Sequence, residues 1–466
     1  MRQCPARGIP RRRGAGPVAQ PWYRLAAHSG EIIAMKVVMF TPGLQASAIG
    51  RMATLVVHAL RAAGHEVTIV RSEQETLMRQ APHDFGGEVL AWTDQARVGA
   101  VIGSADSVIY QVGDNYEFHV GCLEWLERAP GIVCLHDFFL GHLFWAWAQR
   151  HPARAEAVLK AWYGDTVATG YFGHPDSGAF IAATADTAPM TEWIGAMALG
   201  VVTHSNWGAQ RLCRSCPGPV QVMPLPYNAP AGGAQVSTAD QRNFRVLTVG
   251  HVNPNKRVAS VIRAIGNSTE LRDHAVYRLV GHVQTETVVS LSSLARNHQV
   301  NLVISDELDN AALITAIDQA DVVTCLRWPS LEAASASAIE AMLYGKPVIV
   351  TDVHFYSELP DDCVLKIDPD DEVASLQRAL EQLYHSPELR RQLGARAREW
   401  ANATFRADRY ADCLIVMAQD TSRVRPALAA VEQFTQTLSR WGATSSLLEE
   451  PHTRDALRLF AITPAQ

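Results

Sequence analysis

Two glutamates, Glu332 and Glu340, stand eight residues apart and bracket a run of small residues that includes Ser335, Ala336 and Ser337. The run follows an apolar stretch at 321–326 and opens a helical pattern over 335–344. Small side chains at a helix start let a bulky anion approach the exposed N–H groups, where the helix dipole adds its attraction; a diphosphate fits there. Glu340, a turn or two along, is placed to accept hydrogen bonds from both hydroxyls of a ribose, and Glu332, in the preceding loop, from hydroxyls of a sugar. The competing reading is tight helix–sheet packing with two solvated glutamates, and only the placement after a strand tips the balance. An acid and nucleophile pair of the glycosidase type fits poorly. Eight helical residues separate side chains by about 12 Å, beyond the roughly 5–9.5 Å that such pairs use.

A second cluster follows the apolar stretch 244–250, in the order Gly250, His251, Val252, Asn253, Pro254, Asn255, Lys256, Arg257. The chain has only five lysines, and Lys256 at the start of a helix over 256–266 is placed to meet a phosphate. A solvated Lys-Arg pair there would oppose the dipole's preference for anions. His136 ends another apolar run and precedes Asp137, a position as suited to a structural histidine as to a ligand-facing one. Cys213 and Cys216 form a lone C-x-x-C without a second pair for zinc, and Asp368 and Asp370 read as the N-cap of a helix over 371–385. No His, Cys or Asp cluster has metal-ligand spacing, so no metal is expected.

The elements that must position these residues alternate between strand and helix. The apolar run 36–40, a helix over 50–63 ending at Gly64, and a strand at 66–70 make a first βαβ unit. Strands at 107–112, 132–136, 201–205 and 220–225 follow, with helices at 117–128 and 139–150; residues 151–190 read as irregular, and their rings Trp162, Tyr163, Tyr171 and Phe172 are assigned to an acceptor cleft. After a linker at 229–243 the alternation restarts over 244–402, and 403–466 reads as helices crossing back to the first domain, 35–228. With 466 residues, 48% hydrophobic and 19% charged, the chain suits two large cores. A net charge of −6 offers no general footprint for nucleic acid, and no apolar run is long enough to span a bilayer. Eight scattered cysteines read as reduced thiols of the cytoplasm, and residues 1–34 read as a tail before a fold that starts at Met35.

Gly250 to Arg257, Gly281, Glu332 and Glu340 with Ala341-Met342, and Gly345-Lys346-Pro347 resemble the donor domain of family-4 glycosyltransferases. The first half is similar to the same family in Thr41-Pro42-Gly43, Ile49-Gly50, Gly64-His65-Glu66-Val67, Leu135-His136-Asp137 and Thr203-His204-Ser205. The resemblance spans about Met35 to 420 and implies an α/β GT-B fold, two Rossmann-like parallel-sheet domains facing a cleft. It implies that Lys256 neutralises the diphosphate of a GDP-sugar or UDP-sugar, Glu340 binds ribose, Glu332 contacts the transferred sugar, Gly50 lies against the phosphates, and His136 faces the sugar. His251 departs from the family, which often has arginine there, and Arg257 is the candidate substitute. The implied activity is retaining, metal-independent transfer without a cofactor to a glycan or lipid-linked glycan, in the cytoplasm and at the inner membrane surface. Two rivals are a non-catalytic partner subunit, which His251 would suit, and a Rossmann oxidoreductase, for which the chain lacks G-x-G-x-x-G after any strand.

Overall fold

Short β-branched and aliphatic runs are buried on both faces, as parallel sheets covered by helices require. The computed structural model describes residues 34–228, 244–306, 308–442 and 450. Nearly all of the expected tail, the linker 229–243 and most of the stretch beyond 442 lie outside the described residues. The first sheet has strands β1 Lys36–Thr41, β2 Glu66–Arg71, β3 Val89–Ala91, β4 Ser107–Val112, β5 Ile132–Leu135, β6 Gly200–Thr203 and β7 Val220–Val222, ordered β3-β2-β1-β4-β5-β6-β7. The second has β8 Phe244–Val249, β9 Ala275–Val280, β10 Asn301–Ser305, β11 Val322–Cys325, β12 Val348–Thr351 and β13 Leu365–Ile367, ordered β10-β9-β8-β11-β12-β13. All pairings are parallel. The strand order therefore reverses between β1 and β4 and between β8 and β11, and ligands of such sheets bind outside the carboxyl ends at these reversals.

The helices pack by their apolar faces. Helix Ala48–Ala62 buries Met52, Ala53, Val56, Val57 and Leu60, and Ser47 caps it by accepting from the Gly50 amide, a cap worth about 1 kcal/mol. Both sheets and their helices form one compact unit. The chain leaves the first sheet near Tyr227, whose amide donates to the Phe405 carbonyl on the returning strand of chain at 3.0 Å. Helix Pro387–Thr404 packs on helix Ala336–Leu343, and helix Ala407–Arg440 then packs on Ala48–Ala62, with Met417 and Thr421 covering Gly200. No described helix is long and apolar enough to cross a membrane.

Three sequence expectations need correction. Residues 151–190 are mostly helical, as Pro152–Gly170 and Ser177–Thr184, with the first bent at Gly164, φ 81°. Pro152 at the first helical position and the Asp176 cap, which accepts from the Ala179 amide, set these starts. The helix expected from 256 begins at Val258, because Pro254–Lys256 form a 3-10 turn and Arg257 takes φ 54°. Asp368 does not cap the helix Glu372–His385; its Oδ1 accepts from the Asp370 amide at 2.9 Å, closing a local turn.

Candidate functional site

The reversal between β8 and β11 brings Lys256 to Arg327 and Glu332. Because Lys256 lies in the tight turn, its side chain folds back over the strand end, where Nζ donates to the Val249 carbonyl. Gly250, at φ 97°, makes this possible, since a Cβ there would lie 2.6 Å from Nζ. Lys256 is 7% exposed. Burial, then the neighbouring Arg327 charge, lower its pKa to about 7, against the pull of Glu332. Arg327, which sequence reasoning passed over, is 8% exposed, donates from Nε to Glu332 at 3.0 Å and from Nη1 to the Leu326 carbonyl at 2.8 Å. The Tyr356 hydroxyl donates to that same Glu332 oxygen, Oε1. Two buried cations thus meet one carboxylate, an arrangement that leaves positive charge for an anionic ligand.

Helix Ala336–Leu343 starts beside them. Ser335 caps it, its Oγ accepting from the Ala338 amide at 3.4 Å and lying 3.3 Å from the Ser337 Oγ. The amides of Ala336 and Ser337 have no partner among the described residues, so the helix end offers two N–H groups. Glu340 follows one turn on; burial raises its pKa against the opposing charge of Arg51, 4.0 Å away on helix Ala48–Ala62. Arg51 also donates to the Tyr227 hydroxyl, and so ties the ribose candidate to the other domain.

Across the cleft the backbones of the two domains pair directly. Asp137 and Glu332 form an antiparallel bridge, the amides of Phe138 and Phe139 donate to the Leu331 carbonyl at 2.8 and 3.1 Å, and the Ala333 amide donates to the His136 carbonyl at 3.0 Å. His136 Nε2 lies 2.8 Å from Gln111 Oε1. Burial, helped by His204 and His119, holds its pKa well below the usual value, so the ring is neutral at pH 7. Asp137 is pushed the other way, to about 7, by burial and the charge of Asp114.

The remaining candidates make no side-chain hydrogen bond or ion pair to Lys256, Arg327, Glu332 or Glu340. At Gly50 a Cβ would run into the Pro42 carbonyl, and the amide is already held by Ser47. The amides of Gly43 and Leu44 are occupied as well, by the buried carboxylate of Glu73 at 3.0 Å, itself paired with Arg71 at 2.6 Å. The phosphate contact expected at Gly50 thus meets a loop whose amides are taken by the protein's own anion. Arg257 is likewise engaged, its Nε donating to both Glu372 oxygens at 2.9 and 3.0 Å, and His251 is exposed and stacks on His282 at 5.4 Å. Arg327, rather than Arg257, is the second cation beside Lys256. The Arg71-Ser72-Glu73 sequence at the end of β2, with the two charges two residues apart, was the one signal for the filled loop.

Residues 234–400 match the family model described as glycosyl transferases group 1. No curated protein matches the chain. Among solved structures, HepE of Anabaena in complex with UDP and glucose is 13% identical over 85% of this chain and 100% of its own, with a TM-score of 0.53. Sucrose-phosphate synthase of Thermosynechococcus elongatus is 15% identical over 85% and 100%, at 0.56. The fold is GT-B. WaaG, a glycosyltransferase involved in lipopolysaccharide biosynthesis, shares this GT-B architecture at 15% identity over 81% of this chain and 99% of its own, at 0.52. The matched region contains the whole Lys256, Arg327, Glu332 and Glu340 set, and the findings together support a glycosyltransferase. Among the described residues no group of three or more His, Cys, Asp or Glu side chains is placed to hold a metal ion.

Proposed function

We propose that this GT-B chain transfers a sugar from a nucleotide diphosphate sugar, GDP-linked or UDP-linked, to a hydroxyl of a glycan or lipid-linked glycan, with retention of anomeric configuration. The observation that carries the reading is the pair of buried cations, Lys256 and Arg327, set beside the two free amides of helix Ala336–Leu343. They stabilise the charge that develops on the departing diphosphate, and an oxygen of that diphosphate takes the acceptor proton on the face it leaves. Glu332 holds hydroxyls of the transferred sugar, His136 supports it as a neutral ring, and Glu340 holds the ribose. The enzyme works in the cytoplasm, reaching lipid-linked acceptors at the inner membrane surface. A partner subunit without activity would bind nucleotide and turn none over, so donor hydrolysis by the isolated chain decides between the two.

The two glutamates then fail differently when changed. Glu340→Gln is expected to weaken UDP or GDP alone and the nucleotide sugar alike, by roughly 1–3 kcal/mol for a lost charge-assisted hydrogen bond. Glu332→Gln keeps an oxygen for Arg327 and leaves free nucleotide affinity nearly intact while reducing transfer. Calorimetric titration with the nucleotide alone tests this, and equal losses for both variants would reject the arrangement.

Diphosphate handling by cations and helix amides makes transfer independent of divalent metal. Turnover is expected to survive EDTA unchanged; its abolition with rescue by manganese or magnesium would contradict the mechanism.

A further inference from the structure

Ser177, His142 and Asp114 make a linear relay in the first domain that sugar transfer does not use. His142 Nε2 lies 3.2 Å from the Oγ of exposed Ser177, and its Nδ1 lies 2.6 Å from Asp114 Oδ2. With Nδ1–H donating to the carboxylate, Nε2 is left as the acceptor for the serine proton. Asp114 is held in turn: its Oδ1 accepts from the Leu143 amide at 2.8 Å, and its own amide donates to Asp137 Oδ2 at 2.8 Å. Three stretches far apart in sequence supply the three residues: the loop after β4, the start of helix Gly141–Ala148, and the first residue of helix Ser177–Thr184. The buried rings of Phe139 and Phe180 meet the His142 ring edge-on, at 5.5 and 5.9 Å, and fix its plane. Burial alone would lower the His142 pKa, but the hydrogen bond and charge of Asp114 outweigh it and raise it, which makes the imidazole a stronger base. Asp176 caps the helix by accepting from the Ala179 amide at 2.9 Å, whereas the amides of Ser177 and Gly178 have no partner among the described residues.

We propose that Ser177 and His142, positioned by Asp114, form a hydrolytic centre separate from the transfer cluster, and that it cleaves carboxylic esters of alcohols. The nucleophile is within reach of a base, and the base is oriented by a third group, the arrangement that activates a serine. Ser177 Oγ attacks the ester carbonyl while its proton passes to His142 Nε2, and the carbonyl oxygen, now negative, is received by the free amides of Ser177 and Gly178. The bond from that carbon to the alcohol oxygen breaks as the oxyanion collapses, and the alcohol leaves with the proton from His142. Water then attacks the acyl group on Ser177 and gives a proton to His142. The carboxylic acid departs, and that proton returns to Ser177 Oγ. Water is the only co-reactant. The His142 side chain is 42% exposed, so solvent weakens the electrostatic help this centre can give, which suits an ester and not the more resistant amide. Neither nucleotide nor sugar donor takes part.

The test uses the full chain with 4-nitrophenyl acetate as the ester, and a fluorophosphonate that reacts with activated serines, its adduct located by peptide mass spectrometry. The adduct is expected on Ser177, and Ser177→Ala should lower ester hydrolysis by at least about tenfold. His142→Gln should remove both the adduct and the hydrolysis. Asp114→Asn should lower kcat by at least about tenfold while KM stays within about twofold, because the carboxylate orients the ring without meeting the substrate. Ser177 is exposed, so Ser177→Ala reports even where Asp114→Asn lowers the melting temperature. No adduct on Ser177, or hydrolysis by Ser177→Ala equal to that of wild type, would overturn the centre. Acetylation found on lysines in place of Ser177 would overturn it too, since the ester would then be reacting with amines alone.

Discussion

Replacing Lys256 by Met is expected to lower turnover by roughly two to three orders of magnitude, as loss of one preorganised donor to a developing charge does elsewhere, and at the same time to raise the melting temperature of the ligand-free protein. Both follow from one fact, that the ammonium is buried with a single carbonyl partner and a second cation nearby. Burial depresses its pKa from 10.5 to about 7, so between these values the unfolded chain binds a proton that the folded chain does not. Stability supplied by this site therefore rises with pH from about 7 to 10.5, and the advantage of Met is largest at or below pH 7 and fades toward 10.5. A bound diphosphate restores the proton. Nucleotide affinity should accordingly fall as pH rises through about 7, with up to one proton taken up on binding, measurable by calorimetry in buffers of different ionisation enthalpy. A Lys256→Met protein that still takes up the proton, or that melts lower at every pH, would show that the charge is carried elsewhere.

Arg327→Met is expected to have the opposite effect on folding. It strips Glu332 of its ion pair at 3.0 Å and leaves that carboxylate with the Tyr356 hydroxyl and the charge of Lys256, with which it makes no direct ion pair. Breaking a buried pair from one side costs about 3–5 kcal/mol, and because Glu332 keeps some solvent contact, about 2–3 kcal/mol is the expected loss. Turnover should fall alongside, by roughly a hundredfold, because Glu332 loses its aim and the diphosphate loses a cation. Pairing the change with Glu332→Leu should recover most of the stability and none of the turnover, so the double variant separates folding from chemistry. Additive melting losses in that cycle would mean that the two side chains do not depend on each other.

What was legible in the sequence follows from where the signals are local. Runs such as those of β1, β11 and β12 are mostly apolar because both faces are buried, and the residues just after such runs are where a parallel sheet offers its chemistry; Lys256, Glu332 and Glu340 were therefore visible. Arg327 was not, because an arginine after a strand looks solvated until Glu332 and Tyr356 are brought around it. Glu73 escaped notice for the same reason, since it fills amides thirty residues away that by themselves look free for a phosphate. The helices within 151–190 lack a regular apolar face: ring contacts hold the segment, as Phe180 meets Tyr171 at 5.2 Å, and Gly164 interrupts the period. Arg257 was misplaced by two residues of helix, enough to turn its guanidinium to Glu372.

The final helix, Ala407–Arg440, belongs by sequence to the second domain and by packing to the first. For anyone recombining such chains, the first domain is thus a discontinuous module. A chimera cut once, near Tyr227, would strand Met417 and Thr421 against a foreign surface where Gly200 should be. A working graft has to carry two pieces, the first domain and the returning helix, joined across the Tyr227 and Phe405 contact where the chain passes between domains twice.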